Sequence, residues 1–311
     1  LSHTETSAPV SLRLARALLS TGVLLATNLA LAATTDAPAM TNVAVPPADA
    51  SAIAQALPVK DEIRAVTAAD KQPDTAAMSD EQSQLPFAPA ERFFFEVSYL
   101  GLPVGTIQAS VAAETALDGV ATWPLIATAT TNPAFILYPV KDRYISWFDP
   151  RTRLSLGNEL IANENRVTRR ERVRFDREEH KALVRREGGE KPRSEKTHEL
   201  PLSAQDLLAT FYATRTHPLE VGDVVESPIF TGNRTFTMRA SVVGKERLRT
   251  KAGTFDTKRV HVEVAFSGKL QSKREVRIFF TDDERHIPVR IDAEFFIGTL
   301  AADLASFETG L

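Results

Sequence analysis

The feature that most restricts this chain is a succession of short runs between residues 91 and 308 in which polar and apolar side chains alternate, with turn residues between the runs. A period of two sends successive side chains to opposite faces of a strand, one toward a core and the other toward water. The stretch Arg172, Val173, Arg174, Phe175 shows the pattern plainly. The expected strands are 91–97 and 106–112, joined as a hairpin, followed by 120–130, 143–148, 155–162, 166–176 and 181–187. After an interruption they resume at 224–230, 234–243, 246–249, 255–266, 273–281, 288–296 and 298–308. Gly222-Asp223, Gly232-Asn233, Gly253 and Asp282-Asp283 punctuate the second series. The interruption reads as one helix over 203–215, capped by Ser203, with Ala204, Leu207, Leu208, Phe211 and Tyr212 as its apolar stripe.

Strands that follow one another without intervening helices pair antiparallel. So many of them must curl or fold onto themselves. The expected fold is therefore all-β with one short helix: an antiparallel β-barrel, closed or half-open, with a two-sheet sandwich as the alternative.

Upstream of residue 87 the composition changes. Arg13 and Arg16 precede an apolar run over 17–29 and then Ala30-Leu31-Ala32, the order of basic, apolar and small residues found in a cleavable secretory signal. Ser20, Gly22, Thr27 and Asn28 interrupt the run, and it falls short of the ~20 residues that a membrane span needs. Residues 33–86 are rich in Ala, Pro, Thr and Asp and bury too little apolar surface to offset ordering entropy. The expected organisation is a signal over 1–32, a disordered linker over 33–86 and a single β-rich domain over 87–311.

A chain without cysteine has no disulfides, no thiolate nucleophile and no Cys-ligated zinc. Export without disulfides suits the periplasm of a Gram-negative cell. A formal charge of −3 and 25% charged residues single out no class of partner.

Four stretches carry a family likeness. They are Phe95–Gly105, beginning Phe-Glu-Val-Ser-Tyr-Leu-Gly; Leu202–Arg215; Gly244-Lys245-Glu246 together with Ala252–Thr257; and Phe280–Val289, reading Phe-Thr-Asp-Asp-Glu-Arg-His-Ile-Pro-Val. In this order the chain resembles the exported bacterial family of domain of unknown function 3108. It departs from it at Phe279-Phe280, where that family often carries tryptophan. The resemblance implies an export signal and a β-rich domain of barrel or half-barrel type, and it implies no activity.

No catalytic constellation is legible. His180, His198, His217, His261 and His286 lie in scattered contexts, with no G-x-S-x-G or S-x-x-K nucleophile motif. His261 alternates with Val260 and Val262, so it faces away from them. Asp282, Asp283, Glu284 and His286 could offer metal ligands, but neighbours in one turn do not converge on an ion unaided. No cofactor and no metal site is expected.

The candidate binding surface is a basic ribbon in which Arg170, Arg172 and Arg174 share one strand face and Arg185 follows on the next strand. Interleaved Glu171, Asp176, Glu178, Glu179 and Glu187 also allow a charge-balanced solvated face. The expected function is that of a non-catalytic envelope protein binding a lipid, lipopolysaccharide or acidic polysaccharide, with no nucleic acid and no membrane span in the mature chain. A scaffolding partner of an envelope protein assembly is the alternative, and an enzyme the more remote one.

Overall fold

In the computed structural model, residues 85–310 are described, except 133–138, 165–166, 190–191, 267–268, 271–275 and 295–297. The expected signal and most of the expected linker lie outside the described residues.

Among the described residues, sixteen strands and one helix make up the domain. The first nine strands are β1 (Arg92–Tyr99), β2 (Leu102–Val111), β3 (Thr115–Leu117), β4 (Val120–Thr131), β5 (Lys141–Asp149), β6 (Leu154–Glu164), β7 (Val167–Asp176), β8 (Lys181–Gly188) and β9 (Ser194–Glu199). The helix α1 (Leu207–Thr214) follows. The remaining strands are β10 (Val224–Phe230), β11 (Thr235–Thr250), β12 (Gly253–Phe266), β13 (Lys269–Leu270), β14 (Val276–Thr281), β15 (Pro288–Glu294) and β16 (Thr299–Glu308).

They form one antiparallel sheet in the order β10-β11-β12-β14-β15-β16-β1-β2-β4-β5-β6-β7-β8-β9, with β3 beside β4 and β13 beside β12. A single sheet replaces the two-sheet sandwich, because β16 pairs directly with β1 and continues the path without a break. The sheet is not closed: no ladder joins its terminal strands β9 and β10. The chain leaving β9 reaches the opposite edge instead. There Gln205 makes a lone parallel bridge to Ile229, through Gln205 N–H to Pro228 O (3.0 Å) and Phe230 N–H to Gln205 O (2.9 Å). Beside it Val173, Phe175 and Val184 pack with Leu200, Ala204 and Phe230. Pro228 has no N–H to offer a further strand, which suits an edge.

Several expectations shift in detail. The helix begins at Leu207, not at residue 203, and its cap is Asp206 rather than Ser203. Gln205 is drawn into the bridge to β10, which excludes it from the helix. The runs 234–243 and 246–249 are one strand, β11, bent by a register shift between Val242 and Gly244. The unforeseen β9 reads Ser-Glu-Lys-Thr-His-Glu; as an edge strand exposed on most positions, it has no apolar alternation to betray it.

Close backbone approach requires glycine at Gly105 and Gly157, among other positions. A Cβ on Gly105 would stand 2.5 Å from Thr130 O, and one on Gly157, at φ +140, only 2.2 Å from Val173 O.

Alternating strand direction sorts the connections to two ends. The start of β1, the finish of β16, the turns 150–153 and 177–180 and the helix lie at one, here called the capped end. The turns 100–101 and 231–234 lie at the other, here called the open end because no described helix lies across it.

Candidate functional site: an apolar cavity above a buried polar floor

Strands whose inward positions are apolar leave a partly enclosed cavity of about 140 Å³ along the concave face of the sheet. Its walls come from β1, β2, β4, β5, β10, β11, β12, β14 and β15, and Leu207, Leu208 and Phe211 of α1 close it toward the capped end. Toward the open end it reaches Thr231, Phe236, Val264 and Val276. Small residues at Ala109, Ala127 and Ala240 make the room. An apolar cavity of this size stays dry or takes an apolar guest.

Several polar groups under this lining are engaged with the protein. Asp206, fully buried, receives Leu208 N–H (3.0 Å) and Ala209 N–H (3.1 Å) at one oxygen and the Ser146 hydroxyl (2.6 Å) at the other. The Tyr144 hydroxyl, which borders the cavity, also bonds Asp206 and the Leu207 N–H. Burial pushes the Asp206 carboxyl up, and the hydrogen bonds from Ser146, Ala209, Ser155 and Leu208 oppose it. Burial, then the nearby Asp206 and Glu171 charges, push the Tyr144 phenol well above its ordinary range. Arg177 secures the approach to the helix by donating to Ser155 O (2.6 Å), Ala204 O (2.7 Å) and Leu202 O (3.1 Å); burial lowers its guanidinium to about 10.

A second buried cluster seals the capped end. Arg215, at the C-terminus of α1, forms a two-pronged pair with Glu91 (2.7 and 2.9 Å) and donates to His286 O, Arg285 O and Pro86 O. His286 Nδ1 lies 2.8 Å from Arg215 O, and the rings of Phe87, Phe93 and Tyr212 surround the guanidinium at 5.3–5.4 Å. Burial raises the Glu91 carboxyl and Arg215 pulls it back down.

The four arginines proposed from sequence do converge, but away from the cavity. Arg172 of β7 stands opposite Arg185 of β8 and Glu159 of β6. Arg170 and Arg172 both lie within 3.2 Å of Glu159 and 3.6 Å of Glu187. Arg185 pairs with Glu195 at 2.7 Å, and Arg174 lies over the Trp147 ring and 3.8 Å from Asp118. The ribbon is thus a lattice of alternating charge, with none of its four arginines among the cavity residues.

The acidic turn is likewise spent internally. Asp282 meets Lys245 (2.7 Å) and Lys258 (3.5 Å), while Asp283 accepts from Thr281 and Arg285. Among the described residues no three His, Asp or Glu side chains are grouped to hold a metal ion. His261 sits on the face opposite the cavity-lining Val260 and Val262.

Two of the sequence stretches singled out above now meet in space: Arg215 ends one and His286 belongs to another. A family model described as "Protein of unknown function (DUF3108)" matches residues 95–305. The chain belongs to the DUF3108 family. No curated protein matches it. Among solved structures, this DUF3108 chain is similar to a beta-barrel-like protein of domain of unknown function DUF1849 from Brucella abortus, at 7% identity and a TM-score of 0.53. That likeness covers 73% of this chain and 99% of the other, and it is a likeness of fold. A putative lipoprotein from Parabacteroides distasonis matches at 13% identity, with 72% and 98% coverage and a TM-score of 0.32. A putative exported protein with a YmcC-like fold from Bacteroides fragilis matches at 8% identity, with 72% and 98% coverage and a TM-score of 0.29. Among the described residues no helix is long and apolar enough to cross a membrane.

Sequence reasoning found the helix but did not name the residues of the cavity. Its walls are assembled from one to three residues on each of nine strands, and no local run records which of them will face a gap. Asp206 could have been found: an aspartate directly before Leu207-Leu208 is a better cap than Ser203, because the apolar stripe starts at once.

Proposed function

We propose that this DUF3108 protein is a non-catalytic protein of the Gram-negative envelope, exported by a cleavable signal, that shelters the hydrocarbon part of an amphipathic envelope molecule within its curled, half-open sheet. The observation that carries the reading is the apolar cavity between the concave sheet and α1. Binding sites for apolar ligands are concave and mostly apolar, with a few polar groups, and the cavity has this composition. The carboxylate and phenol beneath it hold the helix start in place, which supports a binding rather than a catalytic role. The arginine ribbon, matched by Glu159, Glu187 and Glu195, supports a solvated outer face in preference to a surface for lipopolysaccharide or acidic polysaccharide.

The test is native mass spectrometry with lipid extraction on the full chain purified from the envelope of its own host. A co-purifying lipid is expected. It should be lost from Ala240→Leu and Ile278→Phe, which fill the cavity, while the melting temperature stays level or rises. Should wild-type protein come out empty and carry one stable protein partner instead, the carrier reading fails and the scaffolding role takes its place.

A further inference from the structure

The cavity has a chemical polarity of its own, and resting on the reading above it narrows the class of ligand. At the closed end the lining is Leu207, Leu208 and Phe211 of the helix with Phe95 and Tyr144 from the sheet. Tyr144 is one polar group there, and its hydroxyl is committed to the Asp206 carboxylate and the Leu207 N–H. Thr214, also on the lining, donates its hydroxyl to Thr210 O at 2.9 Å. Asp206 lies beneath with its oxygens occupied by Ser146 and two helix N–H groups. A guest arriving at this floor finds no free donor among these groups, and as acceptor only the lone pairs of the Thr214 hydroxyl. Toward the open end, by contrast, Thr231 sits at an exposed turn beside Asn233 and Arg234.

We infer that the cavity is selective for an unsubstituted alkyl terminus: it takes single-chain or acyl-chain amphiphiles methyl end first, the chain tip against Leu208 and Phe211 and the polar head left outside at the open end. A carboxylate at the chain tip would be stripped of water with no donor to replace it, a cost that excludes such ligands. The head group, which stays in water, is weakly discriminated.

The experiment titrates the full chain, freed of lipid, with octanoate, decanoate, dodecanoate and dodecanedioate in a fluorescence displacement assay with N-phenyl-1-naphthylamine. Affinity should rise by up to about fourfold per added methylene along the monoacids until the chain outgrows the cavity, and dodecanedioate should bind at least about thirtyfold more weakly than dodecanoate. Dodecyl-β-maltoside, with the same alkyl length and an uncharged head, should bind within about tenfold of dodecanoate. Equal binding of dodecanoate and dodecanedioate overturns the tail-first inference and leaves the carrier reading standing. Failure of every monoacid and of the maltoside to displace the probe overturns both. If dodecanoate binds and the maltoside does not, the head group is recognised, and the inference falls on that ground.

Discussion

Asp142 shows how a single side chain contributes to the pH response of the domain. It is buried at the start of β5, where Asn163 N–H donates to it at 2.9 Å. Burial first, and the neighbouring Glu164 carboxylate second, push it from 3.8 up to about 7. Asn163 and the Arg169 guanidinium, itself 3.0 Å from Glu164, pull the other way without prevailing. The folded protein therefore keeps a proton on Asp142 in a range where the unfolded chain has released it. Its contribution to stability is full below about pH 4, declines as the pH climbs, and is gone once the pH passes about 7. Asp142→Asn keeps the acceptor for Asn163 and offers an N–H to Glu164 with no charge to bury. At pH 8 it should be more stable than the wild type by on the order of 2 kcal/mol, with the two converging near pH 4. Thermal melts between pH 4 and pH 8 measure this, and parallel curves for the two proteins would show that Asp142 does not hold the proton.

At the scale of the element, α1 is an eight-residue helix too short to persist alone. It stands because its first turn is anchored from below. Asp206→Ala removes the acceptor for two helix N–H groups and for the Ser146 and Tyr144 hydroxyls, and should cost about 3 kcal/mol in urea unfolding. Asp206→Asn, which can still accept the helix N–H groups, should cost less than half of that. Ser203→Ala, at the position that sequence alone nominates as the cap, should fall within about 0.5 kcal/mol of the wild type. A Ser203→Ala loss as large as that of Asp206→Ala would mean the helix starts earlier than described. The difference between these two positions also marks where the sequence stops being readable. Strands with one face buried, such as β7 with Val173 and Phe175 inward, announce themselves by alternation. The bare edge strand β9 does not, nor does the extended bridge at Gln205, which depends on Ile229 across the gap between the sheet edges. The arginine face was legible because β7 carries it in one run. The cavity was not, because Tyr144, Ala240 and Val262 become neighbours only when the sheet curls.

At the scale of the molecule, the curled sheet needs one end shut for its cavity to exclude water, and that seal depends on residues far apart in the chain. Arg215 joins Glu91, 124 positions away, to the turn before β15 at Arg285 and His286, about 70 positions in the other direction. Cutting either half of a buried ion pair leaves an unmatched charge and costs about 3–5 kcal/mol. Arg215→Ala should lie at the upper end, since three carbonyls also lose their donor. Glu91→Ala should lie at the lower end, and the double variant should cost clearly less than the sum of the two. Arg215→Lys should recover little, because a single ammonium cannot grip both Glu91 oxygens and the carbonyls of Pro86, Arg285 and His286 at once. Urea unfolding of the four variants measures the coupling, and additive losses would mean that Glu91 and Arg215 act independently. Since the same cluster closes the capped end beneath α1, a variant that stays folded but loosened should also hold N-phenyl-1-naphthylamine more weakly. Stability and apolar binding would then fall together in Glu91→Ala, whereas in Asp142→Asn at pH 8 stability rises and binding stays level.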